Sequence, residues 1–226
     1  VHFIIQNRRL ARPEDGPFEF NNERKPPPLY YALAAALTWW IAVPDDWFPS
    51  RNFLVGNDTS RGYNYAIHTD SERFPYQGTA LSLHMVRLVS VVVSTVGVWA
   101  TYRLVKLWLP GEDGIALLAA SLHAFWPQFV FSGSVVTNDI MASVAASLFF
   151  LAWFHWVLRP PSWTSALAVV ATLAVLALSK FTVYGVLIYG VVGFGLTVIY
   201  RAIATARSRT LRLSLLIGAL AAMLLG

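Results

Sequence analysis

Long apolar runs alternate with short polar connections along this chain. Seven apolar segments can be read, at residues 29–43, 81–109, 115–131, 140–158, 163–179, 181–200 and 211–226. A helix needs about 20 apolar residues to cross a bilayer, within a range of about 17–25. The four segments between residues 115 and 200 fit that length directly. The segment 81–109 is longer, and Arg87, Arg103 and Lys106 trim its apolar centre. Such side chains can snorkel their charges to the interface. The segment 29–43 is too short to cross comfortably. A β-barrel would show alternating apolar and polar positions, whereas these runs are continuous. The pattern therefore predicts an all-α, polytopic transmembrane helix bundle over residues 29–226. A polar segment, 1–28, precedes it, and a long loop interrupts it at 44–79.

Composition narrows the class further. Of 226 residues, 56% are hydrophobic and 13% are charged, about half the roughly 25% charged fraction of a soluble domain. The mean hydropathy is +0.53. A soluble globular enzyme and a disordered chain are both excluded, since disorder requires low hydrophobicity. No cysteine is present, which removes disulfides, thiolate metal sites and cysteine nucleophiles. Val1 opens the sequence and an apolar run closes it at Gly226, so the chain reads as a portion of something longer.

Charge gives the bundle a direction. Arg201, Arg207, Arg209 and Arg212 form the strongest basic cluster, and basic short loops mark the cytoplasmic side. Counting back span by span places Arg159 and the connection 103–113 inside. It places the loop 44–79, the turn 132–139 and the junction at Lys180 outside. The short length of 29–43 favours a segment lying on the outer face, which puts residues 1–28 outside as well. On this layout the whole net charge of +5 sits on the inner side, and the outer charges cancel. A bacterial inner membrane suits this arrangement. Nucleic-acid binding would need a basic stripe on a soluble face, and none is visible.

Candidate chemistry is sparse and clustered on the outer side. The loop 44–79 carries Trp47, Phe48, Phe53, Tyr63, Tyr65, Phe74 and Tyr76, which reads either as an ordered cap or as an interfacial aromatic belt. Pro26-Pro27-Pro28 precedes Leu29-Tyr30-Tyr31, and the last proline can start a helix. On physics alone this is a rigid helix start with two interfacial tyrosines. Asn138-Asp139 precedes an apolar helix, where a carboxylate is a good N-cap but could equally face a polar cavity. Lys180 lies between two spans and can bind a lipid phosphate as a point charge, or only snorkel. Arg87 poses the same choice, and the two together suit a phosphate-bearing lipid. His84, His123 and His155 fall one per helix, without metal-ligand spacing, so each reads as packed or interfacial and no metal site is expected from them. Ala142 and Ala146 have the small-residue spacing of close helix contacts.

Taken in order, several of these stretches resemble the C-type (GT-C) lipid-linked glycosyltransferases, including the dolichyl- or polyprenyl-phosphate-dependent mannosyltransferase and aminoarabinose transferase families. Pro27-Pro28-Leu29-Tyr30-Tyr31 resembles their "PPLYY" element, and Arg87-Leu88-Val89-Ser90 is similar to their "RLxS" helix start. Residues 119–139 look like their paired helices ending in "ND", and Leu178-Ser179-Lys180-Phe181-Thr182 resembles their "LxKxT" junction. The order and spacing agree along most of residues 1–200. The resemblance implies a GT-C-like bundle with an outer catalytic face and a polyprenyl-phosphate sugar donor in the membrane. It further implies an acidic general base in the first outer loop, and a divalent metal in some members. Arg87 and Lys180 would be lipid-phosphate-binding candidates, and Asn138, Asp139, Tyr30 and Tyr31 would line the cavity.

The chain departs from that pattern in two places. The family's acidic residues follow its first span, a region that would lie upstream of Val1, and Glu14, Asp15, Glu19 and Glu23 do not match it. Pro26 stands where His or Gln often precedes the "PPLYY" element. This chain is therefore expected to lack the catalytic carboxylate, and its catalytic residue is unknown. Two other functions compete: a non-catalytic accessory subunit packed beside other membrane-protein subunits of a respiratory or photosynthetic complex, and, more weakly, a lipid transporter.

Overall fold

The computed structural model describes Ile4 and residues 29–43, 70–160 and 162–205. All regular structure among them is helical: α1 Leu29–Thr38, α2 Gly78–Trp108, α3 Asp113–Ala124, α4 Pro127–Ser134, α5 Asp139–Leu158, α6 Trp163–Ala177 and α7 Tyr184–Thr205. Single 3-10 turns precede α2 at Asp70–Glu72 and α7 at Phe181–Val183. Three stretches are long and apolar enough to cross a membrane: Gly78–Trp108, Asp139–Leu158 and Phe181–Ile203. This is the helix set of an integral membrane protein.

The expected seven segments are corrected in two places, at 115–131 and 163–179. Residues 115–131 are two helices, α3 and α4, bent by 59°, which make a fourth span only if the pair is counted as one. Pro127 causes the break. Proline lacks an N–H and forces the residue before it out of helical geometry. Trp126 is accordingly extended (φ −64°, ψ 121°), and Pro127 sits in the first turn of α4. The segment 163–179 forms only the 15-residue α6, about 22 Å long against a hydrocarbon core of about 30 Å. The segment 29–43 forms only the ten-residue α1, too short to cross. The expected last span at 211–226 lies outside the described residues, as do most of 1–28 and residues 44–69 of the outer loop.

Local sequence explains the remaining boundaries. Gly111 takes a φ of +110° in the tight turn between α2 and α3, which glycine alone adopts at little cost. Arg159 is extended (φ −112°, ψ 162°), as the residue before Pro160 must be. Ser162 then opens α6 with a reciprocal capping box to Ser165. α2 has 31 residues and spans about 46 Å, more than the hydrocarbon thickness. The rise from Arg87 to Lys106 is about 28 Å, so these two cations bracket one bilayer's worth of helix.

α5 is the centre of the bundle, packing on α2 along one side and α6 along the other. α3 and α4 rest on α2, and α7 rests on α6. Helices in lipid gain no hydrophobic drive toward each other, so close fit between small residues decides their contacts. A Cβ added at Gly97 would lie 2.8 Å from Val144 Cγ2, and one at Gly193 would lie 2.4 Å from Trp153 Cη2. These glycines let α2 and α7 approach α5. Large apolar side chains such as Leu117, Leu122 and Ile188 point outward. In water such a surface would aggregate; in a bilayer it is the face that lipid wets.

Gly97→Leu and Gly193→Leu should each destabilise the protein by about 1–3 kcal/mol through overpacking. Gly195→Leu, whose Cβ meets nothing within 4 Å, should be close to neutral. Thermal unfolding of the detergent-solubilised protein checks the contrast, and equal losses at all three positions would refute this packing.

Candidate functional site

Four chain segments meet at the end of the bundle where α5 begins. The non-helical stretch before α5 exposes carbonyls that no helix satisfies, and neighbouring elements supply the donors. Ser90 on α2 donates its hydroxyl to the Val135 carbonyl at 3.0 Å. Tyr30 on α1 lies 2.7 Å from that same Ser90 oxygen. A serine has one hydroxyl proton, so the arrangement is a relay in which Tyr30 donates to Ser90 and Ser90 donates to Val135. Asn138 donates its side-chain amide to the Ser179 carbonyl at 3.3 Å. The Leu29 backbone N–H donates to the Leu178 carbonyl, also at 3.3 Å. The start of α1 and the start of α5 thus both attach to the break between α6 and α7.

One ion pair stands in front of these neutral bonds. Lys180 Nζ pairs with the Asp139 carboxylate, whose other oxygen accepts from the Thr137 hydroxyl at 3.1 Å. The Lys180 side chain is 30% exposed and that of Asp139 is 43% exposed, while Tyr30, Ser90 and Ser179 behind them are fully buried. The cluster therefore has a dry, hydrogen-bonded back and a charged, open front. Asp139 also sits in the first turn of α5, where the helix dipole favours a negative charge.

The structure brings Tyr30, Asn138, Asp139 and Lys180 together. Tyr30 is buried in the core, with Tyr31 edge-on against it at 5.3 Å between centroids. Asn138 is buried as well. Arg87 is exposed on α2, one turn before Ser90, and has no ion-pair partner among the described residues. The expected N-cap differs in detail. Neither Asn138 nor Asp139 caps α5 with its side chain; Thr137 accepts the Asp139 backbone N–H instead, at 3.3 Å. The Asn138 side chain is instead turned toward Ser179, to which its amide N–H donates, and the Asp139 carboxylate toward Lys180. Thr137 and Ser179 were not singled out from the sequence, because their roles depend on partners more than 40 residues away or on the local fold.

Elsewhere two of the described histidines are packed. His123 Nδ1 lies 2.6 Å from the Thr101 hydroxyl and its ring rests on Phe129, while His84 stacks on Tyr76. No group of three or more His, Cys, Asp or Glu among the described residues could hold a metal ion. The implied divalent metal does not fit this cluster, because its one described carboxylate already faces a lysine and a hard cation takes several oxygen ligands.

A double-mutant cycle tests the ion pair. Asp139→Asn and Lys180→Met should each lower stability, and the double variant should lose less than the sum. The coupling expected for a part-exposed pair is about 1 kcal/mol, read from denaturation in micelles; strict additivity would mean the two charges do not interact.

No family model, curated protein or solved structure matches this chain.

Proposed function

We propose that this chain is the membrane portion of a polyprenyl-phosphate-dependent glycosyltransferase with a GT-C-like bundle, oriented with the Asp139–Lys180 end outside a bacterial inner membrane. One observation carries the reading. The stretches that resemble the family in sequence, at Leu29-Tyr30, Ser90, Asn138-Asp139 and Ser179-Lys180, are far apart in the chain and join in one hydrogen-bonded cluster. In the proposed reaction an acceptor hydroxyl gives its proton to a general base and its oxygen attacks the anomeric carbon. The bond from that carbon to the phosphate oxygen breaks, and polyprenyl phosphate leaves. Lys180, aimed by Asp139, stabilises the leaving phosphate, and Arg87 supplies a second cation at the same membrane level. No residue of this chain is assigned as that base.

Asp139 itself favours a second reading. Its two oxygens are occupied by Lys180 and Thr137, which is the behaviour of a structural carboxylate and suits a non-catalytic subunit of a larger membrane complex. Sugar transfer from a set of polyprenyl-phosphate donors by the full-length product separates the two. The enzyme reading expects transfer, a loss of about 100-fold or more in Lys180→Ala, and partial retention in Lys180→Arg. Absence of transfer with every donor, together with stoichiometric co-purification with other membrane subunits, would establish the subunit instead.

A further inference from the structure

The opposite end of the bundle holds a second feature that the proposed reaction does not use. A cavity of about 440 Å³ opens between α2 and α5, lined by Tyr102, Arg103 and Lys106 on one side and by His155 and Arg159 on the other. Lys106 is paired with Asp113. Tyr102 also donates toward Asp113, at 3.5 Å. Glu112 is the other acid nearby, and it is exposed. Arg103 and Arg159 have no ion-pair partner among the described residues, so the cavity keeps an excess positive charge. Arg159 is held in place from α7. Arg201 of α7 donates to the Arg159 carbonyl at 3.1 Å and stacks over Trp156 at 4.7 Å, tying down the end of α5.

This basic cavity continues into an apolar one. Arg103, Leu151 and His155 also line a groove of about 260 Å³ that runs deeper along α5, walled by Trp99 of α2 and by Ala168 and Thr172 of α6. Arg103 lies over the Trp99 ring at 5.7 Å, at the junction of the two. A positive-inside bias needs only basic residues near a membrane surface. It needs neither a cavity nor an apolar channel joined to it at membrane depth. A phosphate-bearing head with a hydrocarbon tail matches both parts: charge against Arg103 and Arg159, and chain along Leu151 and Ala168.

We infer that this compound cavity binds one anionic glycerophospholipid of the leaflet at the basic end, with the phosphate at Arg103 and Arg159 and an acyl chain in the groove between α2 and α6. The lipid fills the space that α5 leaves open between its two neighbours. It would therefore stabilise the α2–α5–α6 layer as well as occupy it. Nothing in this inference depends on sugar transfer.

Native mass spectrometry of the full chain, released from nanodiscs of equal phosphatidylglycerol and phosphatidylcholine, tests it. Phosphatidylglycerol should be retained over phosphatidylcholine by roughly tenfold or more, given two unpaired cations near the surface. Arg103→Gln with Arg159→Gln should abolish the preference. Ala168→Phe, which plugs the groove and leaves the charges, should reduce retention of both lipids. Millimolar glycerol 3-phosphate should not displace the lipid; displacement would make this a soluble-anion site and overturn the assignment. Equal retention of both lipids by the unaltered protein, which needs no variant to fold, would also overturn it, as would a groove already filled by the chain's own last apolar segment.

Discussion

A backbone carbonyl or N–H buried without a partner costs several kcal/mol, and two chain breaks meet in the packed end of this bundle where α5 begins. The stretch from Val135 to Asn138 and the junction at Leu178–Lys180 both leave the helical ladder. Each is repaired by the other or by a neighbour: Asn138 by reaching to Ser179, Leu29 by reaching to Leu178, and Ser90 by reaching to Val135. The architecture at this end follows from that requirement. α1 is too short to span, yet it has a fixed place because its first N–H and its first tyrosine close gaps left by other helices. The Asp139–Lys180 pair then becomes affordable in the same sense: the neutral bonds behind it hold both side chains where their charges meet, and its open front keeps partial contact with water.

The two ends of the bundle solve different problems. At the end with Asp139, the Lys180 charge is paired with that carboxylate and backed by buried hydroxyls and amides. At the other end, basic residues outnumber acids, and the surplus lines a concavity that runs on into an apolar groove. α5 connects the ends. It is apolar on nearly every face, packs against α2 and α6, and carries Asp139 at its start and His155 near its finish. Glycines at the α2 and α7 contacts let it sit at the centre.

Much of this was legible in the residues. Continuous apolar runs and scarce charge specified helices in a membrane, and the alternation of loops placed Asp139 and Lys180 at one end, where the structure joins them. The sequence could not state that they touch, since 41 residues separate them and nothing local encodes their distance. Nor did apolar length alone reveal that residues 115–131 bend. The Pro127 signal was present, but it was outweighed by an uninterrupted hydropathic run. The Asp139 carboxylate misled in a smaller way. Its place at the start of α5 reads as a cap, whereas Lys180, 41 residues away, draws it elsewhere. Local preference yields to long-range pairing most readily where an unmet polar group would be costly, and that is where the candidate site lies.

The central claim is that α1, α5 and the α6–α7 break form one knot. The chain has no native cysteine, so an introduced pair reports without background. Leu29→Cys with Leu178→Cys joins two positions whose backbones are hydrogen-bonded, near enough for a disulfide. Oxidation in native membranes should cross-link this pair rapidly, while Leu29→Cys with Leu117→Cys on the lipid-facing side of α3 stays reduced. Failure of the first pair to cross-link, or equal cross-linking of both, would contradict the account.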